Sequence, residues 1–318
     1  SRVVDKIGDF WSYSRHAKTT ANVSNLLMYY NVLPSAAAGV LTSLLLGLLM
    51  PLSWTRNFQM AGVGVMWAST LVFLLLLTNW PSQRHVFLDK ACICQDDEVK
   101  KRNGILSLGW FLRNSTNMIV LWDETYFTRL WCVFEIAVFM KQRQLSRTQI
   151  NNKREDWLKV LPSSWGRLTM LLLFIACIYV CIFRSVDEGP VRGRIFGPAT
   201  VREFLISQVA AASFIFLLFL CAGPRLGSSM ETFAEPQRSL ESFSVREAQC
   251  YCCSSLHVCP KTGKVLDCDR RLIERSVIEL FGDLDKFDAF ARSEIHRNMP
   301  ANAYLPYKYC LIAAQPFL

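Results

Sequence analysis

The chain has 318 residues, 52% of them hydrophobic, with 35 Lys and Arg against 26 Asp and Glu and a formal net charge of +9. That is too apolar for an ordinary soluble protein of this size, so membrane spans are expected. The basic charge is dispersed along the chain, which a cytosolic leaflet of anionic lipid explains more simply than nucleic acid; lipid is the expected partner and nucleic acid is not.

From the front, Phe10-Trp-Ser-Tyr13 reads as a strand, and Val23, Leu26, Leu27 and Tyr30 recur at helical spacing. Taken alone, this helix is equally a juxtamembrane amphipathic one. Val32 to Leu52 and Ala61 to Trp80 are nearly uncharged runs of about 20 residues, long enough to cross a hydrocarbon core. Trp54 and Trp80 sit where interfacial aromatics belong. Two spans return the chain to the side it left, so the segments flanking the hairpin can pack together.

From His85 to Met140, strand-length apolar runs (Val86 to Leu88, Met118 to Trp122) alternate with helical patterns. An amphipathic segment runs from Lys100 to Ser115, carrying Ile105, Leu108, Phe111 and Leu112, and an apolar helix follows from Leu130. This predicts an α/β layer. Between Leu130 and Met140 every position is apolar or Cys except Glu135, whose helical neighbours Trp131, Cys132, Val138 and Phe139 cannot neutralise a carboxylate. Glu135 is therefore either a structural ion-pair partner, a helix edge reaching water, or a residue lining a cleft.

Phe87-Leu-Asp89, Gly104-Ile105, the strand to Trp122, Tyr126 and Trp131-Cys132-x-x-Glu135 together resemble the second half of a Toll/interleukin receptor (TIR) domain. With Leu121-Trp-Asp and Arg129-Leu-Trp-Cys-Val-Phe-Glu, the form is most similar to TIR-like multi-pass membrane proteins of dinoflagellate-type protists. Phe10-Trp-Ser-Tyr13 then resembles the opening strand of such a domain. The resemblance implies a flavodoxin-like (TIR-type) parallel sheet with helices, interrupted and followed by transmembrane hairpins. It departs from the family at Arg129-Leu130, where a Ser is usual, and in the loop from Lys90 to Glu98, which lacks Arg-Asp-x-x-Pro-Gly.

Further along, Leu168 to Phe183 and Phe204 to Ala222 form a second apolar pair, the first of them short for a span. The expected organisation is thus the first half of an α/β domain over 1–31, a membrane hairpin over 32–80, the second half over 81–165, and a second hairpin over 166–223. A Cys-rich and helical segment over 224–318 follows, and the chain reads as a fragment of something longer. Thirty of the 35 Lys and Arg fall in 1–32, 81–167 and 224–318, which places those segments on the cytosolic side of a multi-pass protein.

Cys250, Cys252, Cys253, His257 and Cys259 crowd ten residues, with Cys268 shortly after. In a reducing cytosol such a cluster suits zinc, although the spacing fits no common zinc motif; palmitoylated, free or inert thiols are the alternatives. Asp267 and Asp269 read as caps of a helix that ends at Gly282, and a second helix follows from Leu284 to Ile295.

Several TIR domains cleave NAD, and by motif match the catalytic glutamate is Glu135. The resemblance further implies nucleotide contacts from Ser12, Ser14, Arg15 and Trp131, with NAD as substrate. It also implies a membrane-anchored signalling protein acting through protein–protein contact with other TIR-like domains or with itself. An NAD nucleosidase is the alternative. A channel or transporter is disfavoured by spans almost devoid of ionisable residues.

Overall fold

The computed structural model describes residues 6–14, 18–49, 58–81, 84–94, 97–147, 157–162, 240–258, 263, 265–295 and 297. The second hairpin, Arg15 and Cys259 lie outside the described residues. The chain divides into two compact units, one comprising 19–82, 164–229 and 304–318, the other 1–18, 83–163 and 230–303.

In the first unit, helix α1 (Thr19–Leu49) packs on helix α2 (Phe58–Asn79) through Met28, Val32, Ala36, Phe73 and Leu77. The Asn31 side-chain amide donates to the Leu77 carbonyl at 2.9 Å, and Ser43 and Ser69 share a hydrogen bond of 2.7 Å. Their remaining faces are apolar and exposed, at Leu41, Leu44, Leu45, Leu71 and Leu75 among others. The boundary expected at residue 31 has no structural counterpart, because α1 runs unbroken through Pro34. No Gly or charged stop signal precedes that proline, and in an apolar helix one missing N–H is tolerated. Among the described helices α1, over Thr19–Leu46, is long and apolar enough to cross a membrane, while the apolar stretch Trp67–Asn79 of α2 is shorter. Of the two spans expected over 32–80, the described residues thus show one helix of sufficient length.

The second unit is an α/β layer. Strands β1 (Ile7–Tyr13), β2 (Val86–Phe87), β3 (Ser115–Trp122) and β4 (Leu158–Pro162) form a four-stranded sheet in the order β2-β1-β3-β4, every pairing parallel. Phe10 lies opposite both Phe87 and Met118, so the N-terminal strand joins the later ones despite the intervening helices. Met118 to Trp122 are buried throughout, as a central parallel strand covered on both faces requires.

Between β2 and β3 come α3 (Asp89–Cys92), α4 (Glu98–Leu106) and α5 (Leu108–Arg113). Asp97 caps α4 by accepting the Val99 and Lys100 N–H groups at 3.0 and 3.1 Å. The single amphipathic segment expected from Lys100 to Ser115 is divided in two at Ser107. Gly104 lets α4 approach Ile93, whose Cγ2 would lie 2.8 Å from a Cβ at that position. Helix α6 (Leu130–Arg147) follows β3 through a short turn at Tyr126–Thr128.

The Cys-rich segment, set apart in the sequence, shares this core. It supplies α7 (Tyr251–Ser254), α8 (Asp269–Phe281) and α9 (Leu284–Phe290), which passes into a π-turn over Ala291–Ile295. Gly282, at φ 95°, ends α8 where expected. Gln249 donates to the Thr128 carbonyl at 2.8 Å and accepts from the Leu130 N–H at 3.0 Å, tying the segment to the start of α6. Phe243, Val245, Ile273, Val277, Phe281 and Phe287 are buried in the cluster that contains the sheet.

Candidate functional site

The sheet order reverses at β1, with β2 on one side and β3 on the other. Loops leaving the carboxyl ends of those strands diverge there, and parallel α/β sheets hold their ligands in the resulting crevice. A cleft of about 140 Å³ lies at this place. Tyr13 from β1, Asp89 after β2, Lys101 and Ile105 of α4, Arg129 just before α6 and Trp131, Cys132 and Glu135 within it line it, as do Cys252, Asp267 and Asp269 of the C-terminal segment.

Glu135 is half-buried and its carboxylate is held by a hydroxyl chain. Ser12 Oγ donates to Glu135 Oε2 at 2.5 Å and is also 2.5 Å from the Tyr126 hydroxyl. Burial, then the nearby Cys132 and Glu135, push the Tyr126 hydroxyl well above its ordinary 10.0, so it keeps its proton. Since Ser12 spends its one hydrogen on Glu135, Tyr126 is the donor to Ser12. Burial and the Glu135 charge likewise push the Cys132 thiol up, and its sulfur lies 3.7 Å from the Tyr13 carbonyl. Cys132 is thus neutral and no nucleophile.

The other walls are braced across the chain. Tyr13 donates to Asp89 at 3.3 Å, Trp131 Nε1 donates to Asp269 Oδ2 at 3.4 Å, and Ser14 bonds Thr125 at 2.7 Å. Arg129, only 7% exposed, lines the cleft and makes no side-chain hydrogen bond or ion pair among the described residues. The cleft adjoins a groove of about 230 Å³, the two sharing Lys101, Ile105, Asp267 and Asp269.

Beside the cleft, Cys252, Cys253, His257 and Cys268 bring one ligand atom each within 4.8 Å of one another. Cys253 Sγ lies 3.8 Å from Cys252 Sγ and 3.8 Å from His257 Nε2. The approach depends on backbone. Leu256 and His257 adopt φ of 53° and 59°, left-handed values rare for such side chains, and turn the imidazole back over α7. A bridge between Val258 and Val265 then returns the chain so that Cys268 meets the other three. Against the opposing effect of burial, a hydrogen bond from Cys250 and the Arg270 and Asp269 N–H groups at the start of α8 lower the Cys252 thiol below 9.0. These four residues have the donor set and convergence of a metal site. Cys250 stands 3.3 Å from Cys252 and forms a second, overlapping group with Cys252 and Asp269.

Of the residues expected at a nucleotide site, Glu135 and Trp131 line the cleft. Ser12 and Ser14 are buried beneath it, at 1% and 0% exposure, and act by holding Glu135 and the loop after β3. Asp267 and Asp269, expected only as caps, line the cleft, and the residue capping α8 is Cys268. Arg129, Lys101 and Tyr126 were not expected at the site, although Tyr126 stands in the motif and Arg129 was noted as a departure from it; an unmatched charge beside the apolar start of α6 was the available signal for Arg129. No family model matches this chain, and no match is found among curated proteins or among solved structures.

Proposed function

We propose that the chain is a membrane-anchored, TIR-like protein of flavodoxin-like topology, whose Glu135 cleft binds NAD and cleaves the bond between nicotinamide and ribose. The observation that carries this reading is a carboxylate at the strand-order reversal, fixed by Ser12 and Tyr126 and open to a cleft. The order β2-β1-β3-β4 supports the topology, since flavodoxin-like sheets place their ligand between the first and third strands. In the reaction the C1′–N bond breaks with its electron pair passing to the nicotinamide nitrogen. Glu135 stabilises the oxocarbenium-like ribose, and water adds at C1′ with loss of a proton. Tyr126 and Ser12 keep the carboxylate aimed at the reacting centre.

The experiment is nicotinamide release by the full chain in lipid nanodiscs. Glu135→Gln keeps the shape and removes the charge, so release should fall by about 100-fold or more; a rate equal to that of the parent protein removes the catalytic reading. The apolar, exposed faces of α1 and α2 and the concentration of Lys and Arg in the flanking segments support a multi-pass topology with the sheet unit and the C-terminal segment in the cytosol.

A signalling role through self-association is the second reading. It is favoured by Val99, Leu106 and Trp110, which are 70%, 56% and 50% exposed on α4 and α5. Trp110→Glu should then reduce self-association measured by crosslinking in membranes, and an unchanged crosslinking yield counts against it. For the cysteine cluster we infer zinc as the metal. Tetrahedral bonds of about 2.3 Å to sulfur set ligand atoms about 3.8 Å apart, which matches the spacing around Cys253. A closed set of three thiolates and one imidazole makes its role structural.

A further inference from the structure

Charge divides sharply where the cleft meets the groove. The cleft is lined by two cations, Lys101 and Arg129, against the four carboxylates of Asp89, Glu135, Asp267 and Asp269. The groove is lined by four cations, Lys101, Arg102, Arg271 and Arg275, against Asp267 and Asp269 alone. At formal charge the one is negative and the other positive.

The groove cations are also uncommitted. Among the described residues, the side chains of Lys101, Arg102, Arg271 and Arg275 make no ion pair or hydrogen bond. Elsewhere in the same unit Lys100 pairs with Asp97, Arg246 with Asp285, Arg270 with Glu274 and Lys286 with Asp283. Arg129, buried and lining the adjoining cleft, is unpaired as well among the described residues. A guanidinium withdrawn from water without a partner is costly, and the cost is recovered when an anion docks against it. Arg271 and Arg275 stand one turn apart on α8, a spacing that lets both reach one ligand.

We propose that the groove is a pyrophosphate subsite, formed by Arg271 and Arg275 of α8 and by Lys101 and Arg102 of α4, with Arg129 completing it from the cleft side. The inference rests on the reading of the cleft as an NAD site and extends it. The cationic nicotinamide ring enters the acidic cleft beside Glu135, and the linking pyrophosphate lies in the basic groove. Half of this subsite comes from the C-terminal segment, so that segment takes part in ligand recognition.

The test is calorimetric titration of the full chain, in phosphatidylcholine nanodiscs, with inorganic pyrophosphate. Binding is expected, weakening as salt rises. It should fall at least about tenfold in Arg271→Gln/Arg275→Gln, the size of effect that removing a single charge-assisted hydrogen bond has on affinity. Arg102→Gln, on the other wall and a different helix, should weaken it too, while Lys100→Gln, adjacent in sequence but paired with Asp97, should not. Absence of pyrophosphate binding, or affinity equal to the parent protein's in the double variant and in Arg102→Gln, overturns the proposal. So does an equal loss in Lys100→Gln, which would mark attraction to general charge. Groove-dependent pyrophosphate binding without nicotinamide release upholds the subsite and sinks the cleavage reading, which separates the two failures.

Discussion

Replacing Ser12 by alanine tests the arrangement that holds Glu135. Ser12 is 1% exposed and Tyr126 is 0% exposed, so water cannot readily take the place of the missing hydroxyl. Tyr126 would keep a buried O–H with no acceptor, costing about 1–3 kcal/mol, and Glu135 would lose a donor worth about 1.5 kcal/mol at its half-buried position. The total expected destabilisation is about 2.5–4.5 kcal/mol. Adding Tyr126→Phe removes the orphaned hydroxyl, so the double variant should be more stable than the two single changes sum to, with a coupling of about 1–2 kcal/mol. Urea unfolding followed by tryptophan fluorescence in detergent measures each corner of the cycle. A loss of under about 0.5 kcal/mol for Ser12→Ala, or strict additivity in the cycle, would refute the hydroxyl chain.

Stability should also depend on alkaline pH. Tyr126 and Cys132 have folded pKa values raised above 10.0 and 9.0, so the unfolded chain releases these protons first. Their contribution is fully present below about pH 9 and is lost as pH rises through the unfolded values toward the folded ones, by up to about 1.4 kcal/mol per pH unit per group. Melting curves from pH 8 to 11 should therefore fall less steeply for Tyr126→Phe than for the parent protein, and parallel slopes would dismiss the point. For the cysteine cluster, elemental analysis of the purified chain should give one zinc per molecule. Cys253→Ser and His257→Ala should lose it and Cys250→Ser should keep it; full occupancy in His257→Ala would disprove the proposed ligand set.

What the sequence disclosed follows physical range. Strands β1 and β3 were legible because period and apolar run length are local, and Glu135 stood out because a carboxylate in an otherwise apolar helix turn conflicts with its neighbours. Gly104, noted only as part of a motif, acquires its reason from Ile93, with which α4 is in close contact. The course of α1 was hidden because the uncharged run that marks the span begins at Val32, whereas the helix starts at Thr19 and continues through Pro34. The metal ligands were half legible. Cys252 and Cys253 are adjacent, but the choice of His257 and Cys268 depends on two left-handed residues and a bridge that no spacing rule encodes. Arg271 and Arg275 were hidden for another reason, because a groove drawn from α4 and α8 is assembled by tertiary packing alone.

The same packing explains why α6 is apolar on nearly every side. A helix against one face of a sheet needs a single apolar stripe and shows the rest to water. Here β1 and α5 pack against α6, as do α8 and the π-turn, with Phe281 and Ile295 buried in the shared core. Polar ties follow the same seam, from Lys141 to the Leu280 carbonyl and from Gln144 to Glu294 at 2.6 Å. At the amino end of α6 this enclosure meets the cleft, and there the C-terminal segment contributes Asp269 to Trp131 and Cys252 to the wall. The helix bearing Glu135 is therefore clamped between two parts of the chain more than 100 residues apart in sequence. A shift of the cysteine cluster must move Cys252 and the start of α8, and with them the wall facing the carboxylate.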